Sequence, residues 1–184
     1  MDILVQNARV AFAKGLFEAS AAEAGGKPKF NSKFIIPPDH PQVEEIRAAE
    51  AAVAKEKWGD KAPAVLKQLR ATADKMFLKD GDTQNSDGFE GMLFFSANKD
   101  TRPSTYDRAR TPVTAQDGVI YSGCYVNVRV SIWAMDNQFG KRINGELNGV
   151  QFVRDGDAFG GGSKAADADD FPDLDAGGIE DPFN

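Results

Sequence analysis

Cys124-Tyr125-Val126-Asn127-Val128-Arg129-Val130-Ser131-Ile132-Trp133-Ala134-Met135 is the stretch that decides how this chain folds. Val126, Val128, Val130 and Ile132 alternate strictly with Asn127, Arg129, Ser131 and Trp133, which is the two-residue period of a strand with a core face and an exposed polar and aromatic face. Further strands are expected over residues 3–12, 29–37, from 91 through Met92-Leu93-Phe94-Phe95, and 145–154, the second ending at Pro37-Pro38. Phe94 and Phe95 point to opposite faces, so one of them belongs to the core. Two short amphipathic helices separate the second strand from the third. Asp39 is placed to cap the first, with Gln42 as its capping-box partner and Pro41 in the first turn; that helix runs to Trp58 and stops at Gly59. Asp60 is placed to cap the second, in which Val65, Leu66, Leu69, Ala73 and Met76 recur at helical spacing. The expected fold is therefore mainly β with inserted helices: an OB-type five-stranded barrel over residues 1–159, with the helical insertion at about 39–76.

Net charge misleads until it is divided along the chain. The sequence carries −6 in total, but residues 1–154 hold 21 Lys/Arg against 19 Asp/Glu, or +2, and residues 155–184 hold one Lys against nine Asp/Glu, or −8. A pI near 4.9 would argue against a nucleic-acid partner; here it reports the C-terminal segment and not the body. Gly160-Gly161-Gly162-Ser163-Lys164 has the composition of a flexible linker, and residues 165–184 hold seven carboxylates and no basic residue, so residues 160–184 are expected to be a disordered acidic arm. Its apolar side chains, Phe171 beside Asp170 and then Ile179-Glu180-Asp181-Pro182-Phe183, suggest a peptide that docks on partner proteins. The single Cys124 forms no internal disulfide, and no run of about 18 apolar residues or secretory signal is present, so a cytoplasmic location is expected and no membrane association.

Arg129 and Trp133 share the exposed face of the central strand. Lys99, Arg102, Tyr106, Arg108 and Arg110 come on the loop before it, where four cations meet only Asp100 and Asp107, and Phe139, Lys141 and Arg142 follow it. Rings beside cations are what single-stranded nucleic acid requires, because bases stack on rings while Lys and Arg follow the phosphates. Trp133 has a second reading, as a cover over the open end of the barrel, and Trp58 reads as packing. Enzymatic constellations are missing. With one His, His40 in a proline-flanked turn, and one Cys, neither a zinc site nor a Cys-His pair assembles, so no catalytic residue, metal or cofactor is expected. Residues 80–87 have an incomplete calcium-loop pattern, with Asn85 at the glycine position and Gly91 where the bidentate Glu belongs, and read as a polar loop.

Three segments resemble a family of bacteriophage OB-fold single-stranded-DNA-binding proteins: Gly123-Cys124-Tyr125-Val126-Asn127, Asp136-Asn137-Gln138-Phe139-Gly140-Lys141-Arg142-Ile143, and Gly149-Val150-Gln151-Phe152-Val153-Arg154-Asp155-Gly156. The resemblance implies sequence-independent single-strand binding in replication or recombination without catalysis, with Tyr125 joining the residues named above. The ending Asp181-Pro182-Phe183 is similar to the acidic, aromatic-closed arms of bacterial and T7-like phage single-strand binders, which recruit replication or recombination proteins. It departs from them in placing Asn184 after the ring. A homo-oligomer is compatible with the sequence. The rival readings are a phage assembly or scaffolding protein and a metal-dependent DNA enzyme using Asp80, Asp82 and Asp87.

Overall fold

The computed structural model describes residues 1–21, 24–72 and 74–159. Strands β1 (Asp2–Ala11), β2 (Phe30–Ile36), β4 (Leu93–Lys99), β6 (Tyr125–Asn137) and β7 (Gly140–Arg154) make a ring. Antiparallel pairing joins β4 to β2, β2 to β1, β1 to β6 and β6 to β7; a parallel contact between Asn98 of β4 and Glu146 of β7 closes it. Five strands closed in this order are the OB-type arrangement, in which β2 and β4 are the second and third strands of the ring. Helices α1 (Val43–Trp58) and α2 (Ala62–Arg70) stand between them in the chain, and α1 lies against β6. Two three-residue strands absent from the sequence reading flank the ring: β3 (Leu78–Asp80) on β4 and β5 (Ser104–Tyr106) on β7.

Inward-facing side chains follow the alternation, with Val126, Val128, Val130 and Ile132 fully buried. In β1 the parity changes, since Ile3 and Val5 face the core and then Ala8 and Val10 do. A bulge between Val5 and Ala8 accounts for it, with Asn7 at φ 54° absorbing the extra residue in the left-handed region that Asn tolerates. Phe95 stacks between Phe34 and Phe77 at centroid distances of 5.2 and 4.9 Å, and Gly145 makes room for the last ring, because a Cβ there would lie 2.3 Å from it. Phe94 is buried as well. It faces outward into a second, smaller cluster with Ala11, Ile35 and Phe89.

Neither expected helix cap forms. Gln42 is itself the N-cap residue of α1 with no side-chain cap bond; its amide instead accepts from the Gln6 N–H at 2.7 Å and donates to the Leu4 carbonyl at 2.8 Å, drawn to the β1 backbone beside the bulge. Asp60 falls in a 3-10 turn, Gly59–Lys61, that leads directly into α2, so no extended residue stands there to cap. Met76 is buried but lies beyond α2, and Ala73 lies outside the described residues.

Glu50 is the one buried carboxylate among the described residues, 2% exposed, and it accepts the Leu78 N–H at 2.8 Å, pinning β3 to α1. Burial pushes its carboxyl from the usual 4.5 up to about 7. The folded state therefore holds this proton more tightly than the unfolded chain does. The stability it contributes is complete below about pH 4.5, declines as pH rises and is gone above about 7, a difference of about 3 kcal/mol. Melting should move to lower temperature between about pH 5 and about pH 8. Glu50→Gln, which keeps an oxygen for Leu78, should flatten that dependence; a variant with the parent's pH profile would remove Glu50 as its source.

Candidate nucleic-acid interface

The outward row of β6 is Tyr125, Asn127, Arg129, Ser131, Trp133 and Met135, and its neighbours on β7 extend it sideways. Asn127 faces Gln151, Arg129 faces Gly149, Trp133 faces Asn144 and Met135 faces Arg142. From Tyr125 to Trp133 is eight residues of strand, roughly 26 Å. Trp133 is 44% exposed, as expected for a ring outside the core. Beside it opens a cleft of about 520 Å³ lined among others by Lys29, Lys99, Trp133, Met135, Arg142 and Asn144. Lys99 is held there by Glu146 and Asn148, each at 2.9 Å, while Arg142 lies 3.6 Å from Asp74. Thus Lys99, Trp133 and Arg142, which are scattered in the sequence, share one concave surface because β4 and β7 meet.

Tyr106 joins the same outer face from the other side. On β5 it faces Gln151, whose side chain bonds Asn127, so the ring continues the β6 row. Arg108 and Arg110 are exposed on the turn that follows, where Arg110 has φ 67°. Arg129 is half exposed and lies 3.8 Å from the carboxylate of Asp2.

Three further expected site residues have internal partners. The Arg102 guanidinium lies 5.4 Å from the Phe17 ring and donates to the Val113 carbonyl at 3.3 Å. Arg154 covers one face of Tyr125 at 3.4 Å. Lys141 binds Asp136 at 3.2 Å, and the other oxygen of that carboxylate accepts the Trp58 indole N–H at 2.9 Å, which ties the end of α1 to β6 and holds the Asp136 carboxyl below its ordinary range. Phe139 is 77% exposed at the tip of the β6–β7 hairpin, away from the cleft lining. The last strand, expected from residue 145, is longer than its sequence pattern indicates. It begins at Gly140, after a two-residue loop of Gln138 and Phe139.

Lys29, Lys33 and Lys79 escaped the sequence reading. Lys29 lines the cleft, and Lys33 lies on the outer face of β2, the parity opposite to buried Phe34. That parity was a legible signal for Lys33; Lys79 sits in a strand too short to show a period. The carboxylates of residues 80–87 serve the loop itself: Asp80 accepts the Asp82 N–H at 3.0 Å and Asp82 accepts the Gly91 N–H at 2.7 Å. Among the described residues there is no group of three metal-binding side chains, and no helix is long and apolar enough to cross a membrane. Asp170, Phe171, Ile179, Glu180, Asp181, Pro182 and Phe183 lie outside the described residues, as does the Gly160-Gly161-Gly162 linker.

Phage proteins resemble this chain in sequence and in shape. The model of the family described as "Enterobacter phage Enc34, ssDNA-binding protein" matches residues 1–180. Protein p50 of Acyrthosiphon pisum secondary endosymbiont phage 1 is 42% identical over 176 residues, covering 95% of this chain and 94% of that protein. The single-stranded DNA-binding protein of bacteriophage Enc34, solved in complex with ssDNA, is 28% identical with a TM-score of 0.70, over 86% of this chain and 89% of that one. The fold is shared more distantly with gp2.5, a single-stranded DNA-binding protein of bacteriophage T7, at 16% identity and a TM-score of 0.55 over 92% of both chains. With the family model spanning all but the last four residues, this chain belongs to the Enc34 family of phage ssDNA-binding proteins.

Proposed function

We propose that this protein coats single-stranded DNA without sequence preference during phage replication or recombination in the host cytoplasm, with no catalysis of its own. The observation that carries the reading is the cleft that a half-exposed Trp133 shares with Lys99 and Arg142. A ring offers a stacking face that any base accepts, and the cations match phosphates at every position, so neither selects a sequence. The strand would continue along the outer row past Arg129 towards Tyr106, Arg108 and Arg110. A scaffolding protein would have no use for this alignment of a ring with cations.

The acidic arm is assigned a different task. Its seven carboxylates and terminal Phe183 suit capture of a replication or recombination protein, with Phe171 and the segment from Ile179 to Phe183 as the apolar anchors.

Titrating labelled oligo-dT and a duplex of equal length tests the reading. The parent should prefer the single strand, and Trp133→Ala should weaken it by about 1 to 3 kcal/mol, the worth of one stacked base. Tyr106→Ala and Phe139→Ala report whether the strand extends to β5 or to the hairpin tip. Preference for duplex, or parental binding by all three variants, would refute the placement.

A further inference from the structure

Helix α1 buries Val43, Ile46, Ala49, Val53 and Ala54, and among these apolar side chains it also buries Glu50. A carboxyl on a core face is tolerated only where hydrogen bonds replace its water. Here the replacement comes from the backbone that follows α2. Glu50 accepts the Leu78 N–H at 2.8 Å, and the neighbouring Phe77 N–H adds to its support. Among the described residues it has no ion-pair partner. The charged groups that face it from further off are Arg47 on its own helix, Arg70 at the end of α2 and Lys79 on β3.

The other side of the same backbone supports the Trp133 cleft, through three contacts with the start of β7. The Lys75 carbonyl accepts the Ile143 N–H at 2.9 Å. The Phe77 ring fills the space that Gly145 leaves, where a Cβ would lie 2.3 Å from it, and stacks on Phe95 behind. Asp74 lies 3.6 Å from the Arg142 guanidinium. Arg142 and Gly145 both line the cleft, as does Asn144. Residues 74–78 are therefore gripped by Glu50 from the helix side and carry one wall of the cleft on the other. Close packing around Phe77 leaves no slack between the two, so a shift at one side is transmitted to the other.

We infer that Glu50 is a positioning residue for the single-strand cleft: its neutral carboxyl clamps residues 74–78 against β7 and so sets where Arg142 and Asn144 stand, and loss of its proton loosens the clamp and weakens DNA binding. The inference rests on the single-strand-binding reading above. Burial keeps the proton on Glu50 up to about pH 7. Below that pH the neutral group holds Leu78 without the cost of a buried charge. Above it the carboxylate is stabilised by moving towards water and towards Arg47 or Arg70, which are exposed, and it reaches them only by giving up Leu78. The coupling is reciprocal, so DNA bound in the cleft makes Glu50 hold its proton to higher pH.

The test titrates the full chain with oligo-dT at constant ionic strength from about pH 6 to about pH 8, on either side of the Glu50 transition. Parental affinity should fall about fivefold across this range, the low end of couplings between two sites. Glu50→Gln keeps an oxygen for Leu78 and has no proton to lose, so it should bind at both ends of the range as the parent does at the acid end. Trp133→Ala should lose affinity equally at both ends, since stacking involves no proton. A role for Glu50 in stability alone would change melting and leave these affinity profiles as they are. In the parent itself, the Glu50 carboxyl carbon followed by NMR should titrate at higher pH with oligo-dT bound than without it, a readout that depends on no variant folding. A titration unmoved by DNA, a parental affinity indifferent to pH, or a pH profile retained by Glu50→Gln each overturns the positioning role, while the cleft stands if Trp133→Ala still weakens binding. If the parent binds no oligo-dT, both readings fall together.

Discussion

Oligo-dT binding should weaken about a hundredfold when salt is raised from roughly 50 to 200 mM, because each phosphate neutralised on a single strand contributes a slope of about −0.7 in log affinity against log salt. The cations available for this are decided by the structure. Arg102 lies against Phe17 and Lys141 is held by Asp136, whereas Lys99, Arg108, Arg110, Arg129 and Arg142 stand on the outer face or in its cleft. About five phosphates give a slope near −3.5, which a fourfold change in salt converts to two decades. Lys99, Arg129 and Arg142 lie beside Glu146, Asp2 and Asp74, so DNA must replace these acids, and salt that weakens the internal pairs offsets a little of the loss. A duplex should show a similar salt slope with lower affinity, since its stacked bases cannot reach Trp133. An affinity indifferent to salt would exclude a phosphate-tracking mode.

Removing residues 165–184 should tighten single-strand binding about tenfold at low salt and abolish capture of the phage's replication or recombination partner. The arm carries most of a −8 segment on a body of +2, and a short glycine tether keeps such a polyanion near the cationic face at an effective concentration of order millimolar. On the proposed reading the arm would compete with DNA for the same cations, and the competition would fade as salt screens it. Phe183→Ala separates the two roles, because it leaves every charge in place and deletes the apolar group that a partner pocket would fill. That variant should bind DNA like the parent and fail to retain the partner in a pull-down. Weaker DNA binding by the truncated chain would mean that the arm belongs to the DNA site, and would end the docking-arm reading.

Locally encoded features were the legible ones. The alternation through β6 identified a strand, its core face and the partnership of Arg129 with Trp133, because side-chain direction along a strand repeats every two residues whatever the strand pairs with. The inserted helices and the charge division were equally open to reading, as both depend on neighbours within a few turns of chain. The first half of β7 was not, since its buried row is Ile143, Gly145 and Leu147, and the glycine, placed there to make room for Phe77, breaks the apolar period that would have marked the strand. Strands β3 and β5 exist only because β4 and β7 offer them hydrogen bonds. The cap expected at Asp39 and Gln42 fails for a related reason: the Gln42 side chain satisfies the bulged backbone of β1, 36 residues away, in preference to its own helix end.

By itself the sequence determined a β protein with an inserted helical pair, a ring and a cation on one exposed face, and an acidic arm whose charge hides a near-neutral body. Only the tertiary structure decided which of the scattered cations share a surface. Lys99 and Arg142 meet Trp133 because β4 and β7 close the ring at Asn98 and Glu146, and Lys33 reaches Phe12, Phe89 and Phe94 because the loop after β3 folds back over the outer face of β2. Such contacts are set by the register of strands far apart in the chain. A periodic pattern fixes which face a side chain takes, but the neighbours across that face are fixed by how the strands pair.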